Sequence, residues 1–336
     1  MRLKKLKLRK VKKMSKWSLK SVLSDLLNSK DLSPDERADL RRAIEKLKDM
    51  EINILVTGAT GCGKSSTINA LFNVNAAQVG QGVDPETMDI VKYESDGLVI
   101  WDSPGLGDGK EADERHSCNI IGKLLEKDKN GDALIDVVLV ILDGSSRDLR
   151  TSYELINEII IKTLQKSGEN STDRLLVAIN QCDMAMKGRN WNEETNRPEA
   201  ALVNFLEEKV ASTRRRIQEA TGVTVNPIYY SAGYKDGDND QNPYNISRLL
   251  RYIIENIPEG KRPLVADNIK VKTLRDDTHQ DKLKEQEKIE NDIATALSKL
   301  VGSAAEKVIS TVSNVAGVIG SAVISAGRAI LGWLGF

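Results

Sequence analysis

The chain has 336 residues, of which 40% are hydrophobic and 29% charged, and its formal net charge at pH 7 is zero. This composition is typical of a soluble globular protein with room for one α/β domain and a substantial further module. Its three cysteines are scattered without disulfide or metal-ligand spacing, which favours a reducing compartment and argues against a secreted disulfide scaffold or a structural zinc site.

The charge is distributed unevenly along the chain. Ten of the first 20 residues are Lys or Arg, whereas residues 21–336 hold 39 basic and 49 acidic side chains. No unbroken apolar run follows this basic start, so we do not predict a secretory signal. We interpret residues 1–20 as a basic arm that binds an anionic membrane surface or RNA phosphates, with a solvated, disordered tail as the alternative.

Residues 21–50 are predicted to form a helical hairpin. Apolar residues recur at helical spacing from Ser18 to Asn28, and a second helix is expected to begin after Ser33. Ser33 suits the N-cap position, Pro34 the first turn, and Glu36 completes a capping box. We expect this hairpin to pack beside the following domain.

A glycine-rich stretch, GATGCGKS at residues 58–65, organises the rest of the chain. It follows an apolar strand-like run and precedes a helix-like one, the setting in which GxxxxGK(S/T) binds phosphate. Backbone N–H groups and the helix N-terminus would face the phosphates, with Lys64 reaching the β- and γ-phosphates and Ser65 completing a Mg²⁺ shell. The alternative is a glycine-rich loop that binds nothing. The predicted nucleotide-binding residues here are Gly58, Thr60, Gly61, Cys62, Gly63, Lys64, Ser65 and Ser66.

From residue 51 to 263 short apolar runs alternate with amphipathic helices. This pattern predicts the α/β P-loop NTPase fold class: a mostly parallel sheet with helices on both faces, here joined by an α-helical module from the N- and C-terminal segments. In such sheets ligands bind at the carboxyl ends of the strands. The predicted strands are 52–57, 90–93, 98–101, 137–142, 175–179 and 226–230.

Three further motifs follow predicted strands. After the third comes Asp102, whose carboxylate can hold Mg²⁺ through water, and then Gly105, whose N–H can sense a γ-phosphate. After the fifth, Asn180 and Asp183 occur in the sequence NQCD; an aspartate there accepts hydrogen bonds from guanine N1–H and N2, which adenine cannot supply. After the sixth, the backbone of Ser231, Ala232 and the next residue can meet the guanine O6.

Together these stretches resemble the G1, G3, G4 and G5 motifs of translation-factor-related P-loop GTPases, in the Era-like and septin-like branch. Residues 102–108 (DSPGLGD) are similar to the DTPGxGD signature of that branch. Residues 84–88 and the end of the domain resemble prophage-encoded (YfjP-like) GTPases labelled 50S ribosome-binding. The resemblance covers roughly residues 50–265 and implies Mg²⁺-dependent hydrolysis of GTP to GDP. It also makes Thr87 the switch I threonine, so that the implied catalytic residues are Lys64, Thr87 and Gly105 and the implied metal ligands Ser65, Thr87 and Asp102.

The chain departs from the family pattern at three positions. Gln181 stands where the fourth motif usually carries lysine, which removes a cover over the base and lowers the expected affinity, while Asp183 still specifies guanine. Gly233 replaces the usual lysine of the fifth motif. Leu106 occupies the position at which Ras-like enzymes carry the glutamine that orients water, and Thr60 narrows the entry for an arginine finger. We therefore expect slow intrinsic hydrolysis, or hydrolysis that needs dimerisation or a partner.

The C-terminal segment, residues 264–336, becomes apolar towards its end. Residues 308–327 carry no charge, and apolar side chains recur at helical spacing. Three interpretations stay open: a helix that packs on the N-terminal hairpin, as in dynamin-related and immunity-related GTPases, an amphipathic helix lying on a membrane, or a spanning helix. Small residues at 317, 320 and 321 suit self-association.

The predicted function is a GTPase switch that is cytoplasmic, or peripheral on the inner face of a membrane. Its expected partners are GTP and GDP with Mg²⁺, a second copy of the chain, a membrane, and the ribosome or RNA. The alternative is a nucleotide-gated binding protein with negligible turnover that acts on the ribosome or RNA through its basic arm.

Overall fold

The computed structural model describes residues 18–73, 89–107, 109–168, 171–234 and 240–315. Most of the basic arm, the predicted switch I residue Thr87, Asp108 and residues 316–336 lie outside these ranges. The described residues form two compact units. One contains the described parts of Met1–Met50, Glu259–Asp267 and Glu287–Phe336, and the other those of Glu51–Pro258 and Asn268–Gln286.

The larger unit is built on a six-stranded sheet. Its strands are β1 Ile52–Gly58, β2 Val91–Ser95, β3 Leu98–Asp102, β4 Val137–Asp143, β5 Leu175–Asn180 and β8 Ile228–Tyr229. Their order across the sheet is β2-β3-β1-β4-β5-β8. The edge strand β2 pairs antiparallel with β3, and the other five strands run parallel. This is the predicted fold class.

Apolar runs form the central strands because both faces of a parallel sheet are covered. Every residue of β1 and of β5 is buried, and β4 is buried up to its last residue. The register aligns the carboxyl ends of these strands, with Gly58 opposite Ile141 and Asp143 opposite Asn180. The loops that follow these strands therefore meet at one edge of the sheet.

Helices cover the sheet and supply the rest of its core. The helix from Arg150 to Lys166 contains a π-helical turn, Leu155–Ile160, whose Leu155, Ile156 and Ile160 are buried. Two further short strands, β6 Trp191–Asn192 and β7 Arg197–Pro198, pair antiparallel as a separate hairpin. The α-helices of this unit are α3 Lys64–Leu71, α4 Lys110–Leu125, α5 Arg150–Glu154, α6 Ile161–Lys166, α7 Ala200–Thr221, α8 Ile246–Asn256 and α9 Val271–Asp276.

The smaller unit is helical and combines both ends of the described chain. Its helices are α1 Leu19–Leu27, α2 Pro34–Asp49, the part of α10 Lys282–Val301 from residue 287 onward, and α11 Ala305–Val315. The expected capping box starts α2: the Ser33 N–H donates to Glu36 Oε2 at 2.6 Å, and the Glu36 N–H donates to Ser33 Oγ at 3.2 Å. This confirms the predicted helical module.

Contacts between the two terminal segments hold the smaller unit together. The Lys307 ammonium donates to Glu36 Oε2 at 2.8 Å, and the Ser303 N–H donates to Asp39 Oδ2 at 2.9 Å. Leu23 and Val308 are fully buried, and α11 packs against α1. As far as residue 315, then, the C-terminal segment packs on the N-terminal hairpin, and the three interpretations of residues 316–336 stay predictions.

Within the described part of the chain, no helix is both long enough and apolar enough to cross a membrane.

Candidate nucleotide-binding site

The glycine-rich loop after β1 has a backbone that only glycine allows at two positions. Gly58 has φ +151°, and a Cβ at this position would lie 2.2 Å from the Ile141 carbonyl oxygen. Gly63 has φ +87°, and a Cβ there would lie 2.2 Å from Asn180 Nδ2. The loop therefore passes close to two neighbouring strand ends, which a side chain would prevent.

Lys64 begins α3 and bends back over this loop. Its Nζ donates to the carbonyl oxygens of Gly58 at 3.3 Å and Ala59 at 3.2 Å. Both distances are long for a charge-assisted hydrogen bond, whose usual length is about 2.7–2.9 Å. The ammonium is thus held beside the loop by weak partners that an anion could replace.

Asp102, at the end of β3, lies next to Ser65. The Ser65 hydroxyl donates to Asp102 Oδ2 at 3.2 Å, while Asp102 Oδ1 is buried and has no hydrogen-bond partner among the described residues. Only 2% of Asp102 is exposed, and this burial raises its pKa to about 6, although the charge of Lys64 and the Ser65 hydrogen bond act in the opposite direction. A buried carboxylate oxygen that accepts no hydrogen bond from the described residues, beside a hydroxyl oxygen, offers two oxygen ligands that fit Mg²⁺.

The segment after Asp102 lies against the glycine-rich loop. The Thr60 N–H donates to the Leu106 carbonyl at 3.0 Å, and the Leu106 N–H donates to the Gly58 carbonyl at 3.4 Å. A Cβ on Gly105 would lie 2.6 Å from the Thr60 backbone. Buried His116 of α4 contacts the Gly105 carbonyl through Nδ1 at 3.0 Å, a support that the sequence did not suggest.

Asn180 joins three loops at the end of β5. Its Nδ2 donates to the Cys62 carbonyl at 3.0 Å, and its Oδ1 accepts from the Ala232 N–H at 3.0 Å. Next to it, the Gln181 side chain donates to the Gly61 carbonyl at 2.8 Å. Asn180 therefore positions the glycine-rich loop and the two predicted base-reading loops relative to one another.

The remaining predicted base-reading residues are Asp183 and those that follow β8. Asp183 is only 8% exposed, and its Oδ1 has no hydrogen-bond partner among the described residues. After Ser231 and Ala232 comes Gly233, with φ +70°, where a Cβ would lie 2.4 Å from the Gln241 carbonyl oxygen. The missing lysine of the fifth motif is thus explained by a backbone that excludes side chains.

Tyr230 is a supporting residue that sequence reasoning missed. Its hydroxyl lies 2.6 Å from that of Thr67, which also contacts the Gly63 carbonyl at 2.8 Å, and burial raises the pKa of the phenol well above its usual value. Tyr230 is fully buried and so fixes α3 relative to the last strand. No sequence pattern identifies this pair.

The two cysteines inside the motifs contribute backbone rather than reactive thiols. Cys62 and Cys182 are fully buried, and burial raises the pKa of both thiols. Ser66 lies in the first turn of α3 and is half-buried. The predicted metal ligand Thr87 lies outside the described residues.

The fold is that of a P-loop nucleoside triphosphatase. A glycine-rich loop joins the first parallel strand to its helix, and polar residues follow at the ends of the next strands. Residues 53–181 match the family model for 50S ribosome-binding GTPase. This match supports assignment to the GTPase family, as the motifs predicted.

Two curated mouse proteins are similar over parts of the chain. The mitochondrial 5-taurinomethyluridine-tRNA synthase subunit GTPB3 is 27% identical over 139 residues, which are 39% of this chain and 26% of that protein. Interferon-inducible GTPase 1 is 37% identical over 71 residues, 19% of this chain and 17% of that protein. The chain thus spans about a quarter or less of the length of these two relatives.

Solved structures also match part of the chain. A probable GTP-binding protein engB is 25% identical, with 61% of this chain and 98% of that chain covered, at a TM-score of 0.34. At so low a TM-score the match supports neither a fold nor a function.

Proposed function

We propose that this protein binds GTP and hydrolyses it to GDP and phosphate as a conformational switch. The observation that carries the proposal is Asp183, a buried carboxylate with an oxygen that accepts no hydrogen bond from any described residue. Guanine N1–H and N2 would supply donors to such a carboxylate, and adenine would not. Leaving a buried acceptor unsatisfied costs roughly 1–3 kcal/mol, so the site would favour guanine.

Around the base, the loop after β8 would complete recognition. Asn180 holds the Ala232 N–H in place through a 3.0 Å hydrogen bond, and the backbone of Ser231 and Ala232 would face the guanine O6. Gln181 would cover the base less well than lysine, because its amide is tied to the Gly61 carbonyl. We expect guanine selectivity with moderate affinity.

On the phosphate side, the backbone from Gly58 to Ser66 would surround the phosphates, and Lys64 would leave its two weak carbonyl partners for the β- and γ-phosphates. Ser65 and Asp102 would hold Mg²⁺, together with Thr87 of the undescribed segment. Bound Mg²⁺ stabilises negative charge on the transferred phosphoryl group. Gly105 would donate its N–H to the γ-phosphate.

The switch would act through the segment 105–106. In the structure this segment lies against the glycine-rich loop through the Thr60–Leu106 hydrogen bond. A γ-phosphate that accepted a hydrogen bond from the Gly105 N–H would pull on this contact, since Gly105 directly precedes Leu106. GTP binding would therefore move the segment, and hydrolysis would let it return.

Leu106 favours slow turnover. Its side chain cannot orient an attacking water, and it is 5% exposed in the apolar core. The same observation supports the second candidate function, a nucleotide-gated binding protein with negligible hydrolysis. Possible effectors are a second copy of the chain, a membrane contacted by the C-terminal segment, and the ribosome or RNA contacted by the basic arm.

Single-turnover hydrolysis of GTP, measured alone and with anionic liposomes or ribosomes, tests both functions. The switch GTPase predicts phosphate release that requires Mg²⁺ and that one of these additions accelerates. Liposome stimulation would support membrane action, and ribosome stimulation would support action on ribosomes. Tight GTP binding without phosphate release under any condition would support the gated binding protein instead.

A further inference from the structure

A cleft of about 570 Å³ opens in the larger unit between the loop after β4, the turn after Asp183 and helix α7. None of the residues proposed above to bind GTP lines it. We call it the basic cleft, because five cationic side chains and a single carboxylate line it: Arg147, Lys187, Arg189, Lys209 and Arg216, with Glu208.

These cations form no ion pair with another described residue, although Asp148, Glu154 and Glu158 line an adjoining depression together with Arg147 and Arg216. Arg147 and Lys187 form no ion pair or hydrogen bond within the described residues, Arg189 uses only its Nε, on the Met186 carbonyl at 3.2 Å, and Arg216 faces the Tyr153 ring at 5.5 Å. Like charges around one cleft repel each other, and their summed potential attracts anions.

Neighbouring arginines behave differently. Arg150 donates to Glu154 at 2.8 Å, and Arg215 lies 4.0 Å from Glu219, both at the i,i+4 spacing that commonly pairs charges on a helix. These two arginines have carboxylate partners, whereas the cations that line the cleft form no ion pair with a described residue, even though the chain from residue 21 onward carries more acidic than basic side chains.

The walls of the basic cleft are held in place. Lys209 donates to the carbonyl oxygens of Gly144 and Ser146, each at 2.7 Å, and so fixes the loop after β4. The hydroxyls of Tyr153 and Thr213 lie 3.1 Å apart and join α5 to α7. A site whose walls are already ordered loses less entropy on binding.

Part of the lining of the basic cleft is apolar. Leu149, Tyr153, Met186 and Phe205 line it, and two of them offer aromatic rings. Aromatic rings bind flat, apolar groups by stacking. The volume lies within the roughly 300–1,000 Å³ of small-molecule sites. The shape therefore suits a small ligand that combines a planar group with negative charge.

The charge balance specifies the anionic group. Five cations against one carboxylate suit a ligand with more than one negative charge, and arginine forks match the oxygens of phosphate. We propose that the basic cleft binds a small phosphorylated molecule with a planar apolar group, of the class of a nucleoside monophosphate. This site is separate from the GTP site and does not depend on the proposed function.

Calorimetry on the full-length protein, first saturated with GDP and Mg²⁺, tests this proposal with AMP as the probe. AMP should bind at least about tenfold more tightly than either adenosine or ribose 5-phosphate, because each lacks one of the two features that the cleft recognises. The double variant Arg147→Gln/Arg216→Gln should weaken AMP binding by about tenfold or more.

The control is Arg215→Gln, which removes one positive charge next to Arg216 on α7 but outside the cleft. It should leave AMP affinity unchanged, and all variants should retain the melting temperature and circular dichroism spectrum of the parent, which shows that they fold. The proposal is contradicted if AMP does not bind at millimolar concentration, if it competes with GDP, if adenosine binds as well, or if Arg215→Gln weakens AMP binding equally.

Discussion

The backbone N–H of Thr60 donates to the carbonyl oxygen of Leu106 across 3.0 Å, which joins the glycine-rich loop to the segment that follows Asp102. In the proposed function, a γ-phosphate would bind at the glycine-rich loop beside this hydrogen bond. Gly105 makes the approach possible, because a Cβ there would lie 2.3 Å from Thr60 Oγ1. The contact between these loops is therefore the part of the site that nucleotide binding is most expected to change.

Gly105→Ala should separate the two loops and weaken the hydrogen bond that the backbone N–H of residue 105 would donate to the γ-phosphate. We expect single-turnover GTP hydrolysis to fall by about 10²-fold, the usual cost of losing one backbone donor to a developing charge. GDP affinity should change by less than about tenfold, because GDP has no γ-phosphate. Gly122→Ala in α4 is the control, since a Cβ at Gly122 meets no atom within 4 Å. Equal hydrolysis by the two variants would contradict the γ-phosphate role of Gly105.

Asp183→Asn should change base preference from guanine to xanthine. The side-chain amide of the variant would place its NH₂ donor against the N2 amino donor of guanine. Xanthine has a carbonyl oxygen in place of that amino group, and this oxygen can accept a hydrogen bond from the amide. We expect GDP affinity to fall and XDP affinity to rise, each by about tenfold or more. Competition titration with both nucleotides measures this, with exposed Asp173→Asn as the control. A variant that still prefers GDP would show that Asp183 does not read the base.

Glu290 of α10 should make stability depend on pH. It is 7% exposed, and burial, with a further contribution from the charge of Glu287, raises its pKa to about 7 from the usual 4.5. The folded state therefore binds the proton more tightly than the unfolded state, and this residue favours folding increasingly as pH falls from about 7 to 4.5.

Melting curves of the parent and of Glu290→Gln at pH 8 and pH 5.5 test this assignment. The variant should melt a few degrees higher at pH 8, where the parent must bury a carboxylate, because about 1 kcal/mol moves the midpoint by roughly 2–4 °C in domains of about 150–250 residues. At pH 5.5 the difference should be smaller, because the parent then folds with Glu290 protonated. A difference that does not change with pH would exclude the titration of Glu290 as its cause.

Ser33→Ala removes the N-cap of α2 and should destabilise the protein by about 1 kcal/mol. The Glu36 N–H loses its acceptor, and the reciprocal hydrogen bond from the Ser33 N–H to Glu36 is no longer supported by the capping box. Urea denaturation measures the change. Ser310→Ala, on an exposed position of α11, serves as the control and should cost less, because alanine is the better helix former. Identical midpoints would argue against the cap.

The strand-turn-helix spacing around Lys64 was predictable because local pattern alone identifies it. Asp102, Asn180 and Ser231 could also be assigned, since parallel strands bring their carboxyl ends to one edge of the sheet. The same reasoning identified the capping box at Ser33, where a four-residue pattern is sufficient.

Contacts between distant segments could not be read from the sequence. The hydrogen bonds of Asn180 to Cys62 and Ala232 join residues 118 and 52 positions apart, and their existence depends on strand register. The Thr67–Tyr230 pair and the convergence of Arg147 with Arg216 have the same origin. The π-helical turn Leu155–Ile160 has no sequence period that distinguishes it from an α-helix.

Calorimetric titration of guanine nucleotides into the parent protein and Lys64→Ala, with Mg²⁺ present, tests the central claim most directly. Among the described residues, the Lys64 ammonium donates to two carbonyl oxygens, both at long distance, so it is available for phosphate. We predict that the parent binds GDP and GTP, and that Lys64→Ala loses about 10²-fold or more in GTP affinity, as expected for charge-assisted hydrogen bonds. A parent that binds no guanine nucleotide, or a variant with unchanged GTP affinity, would contradict the assignment of this loop as a phosphate site.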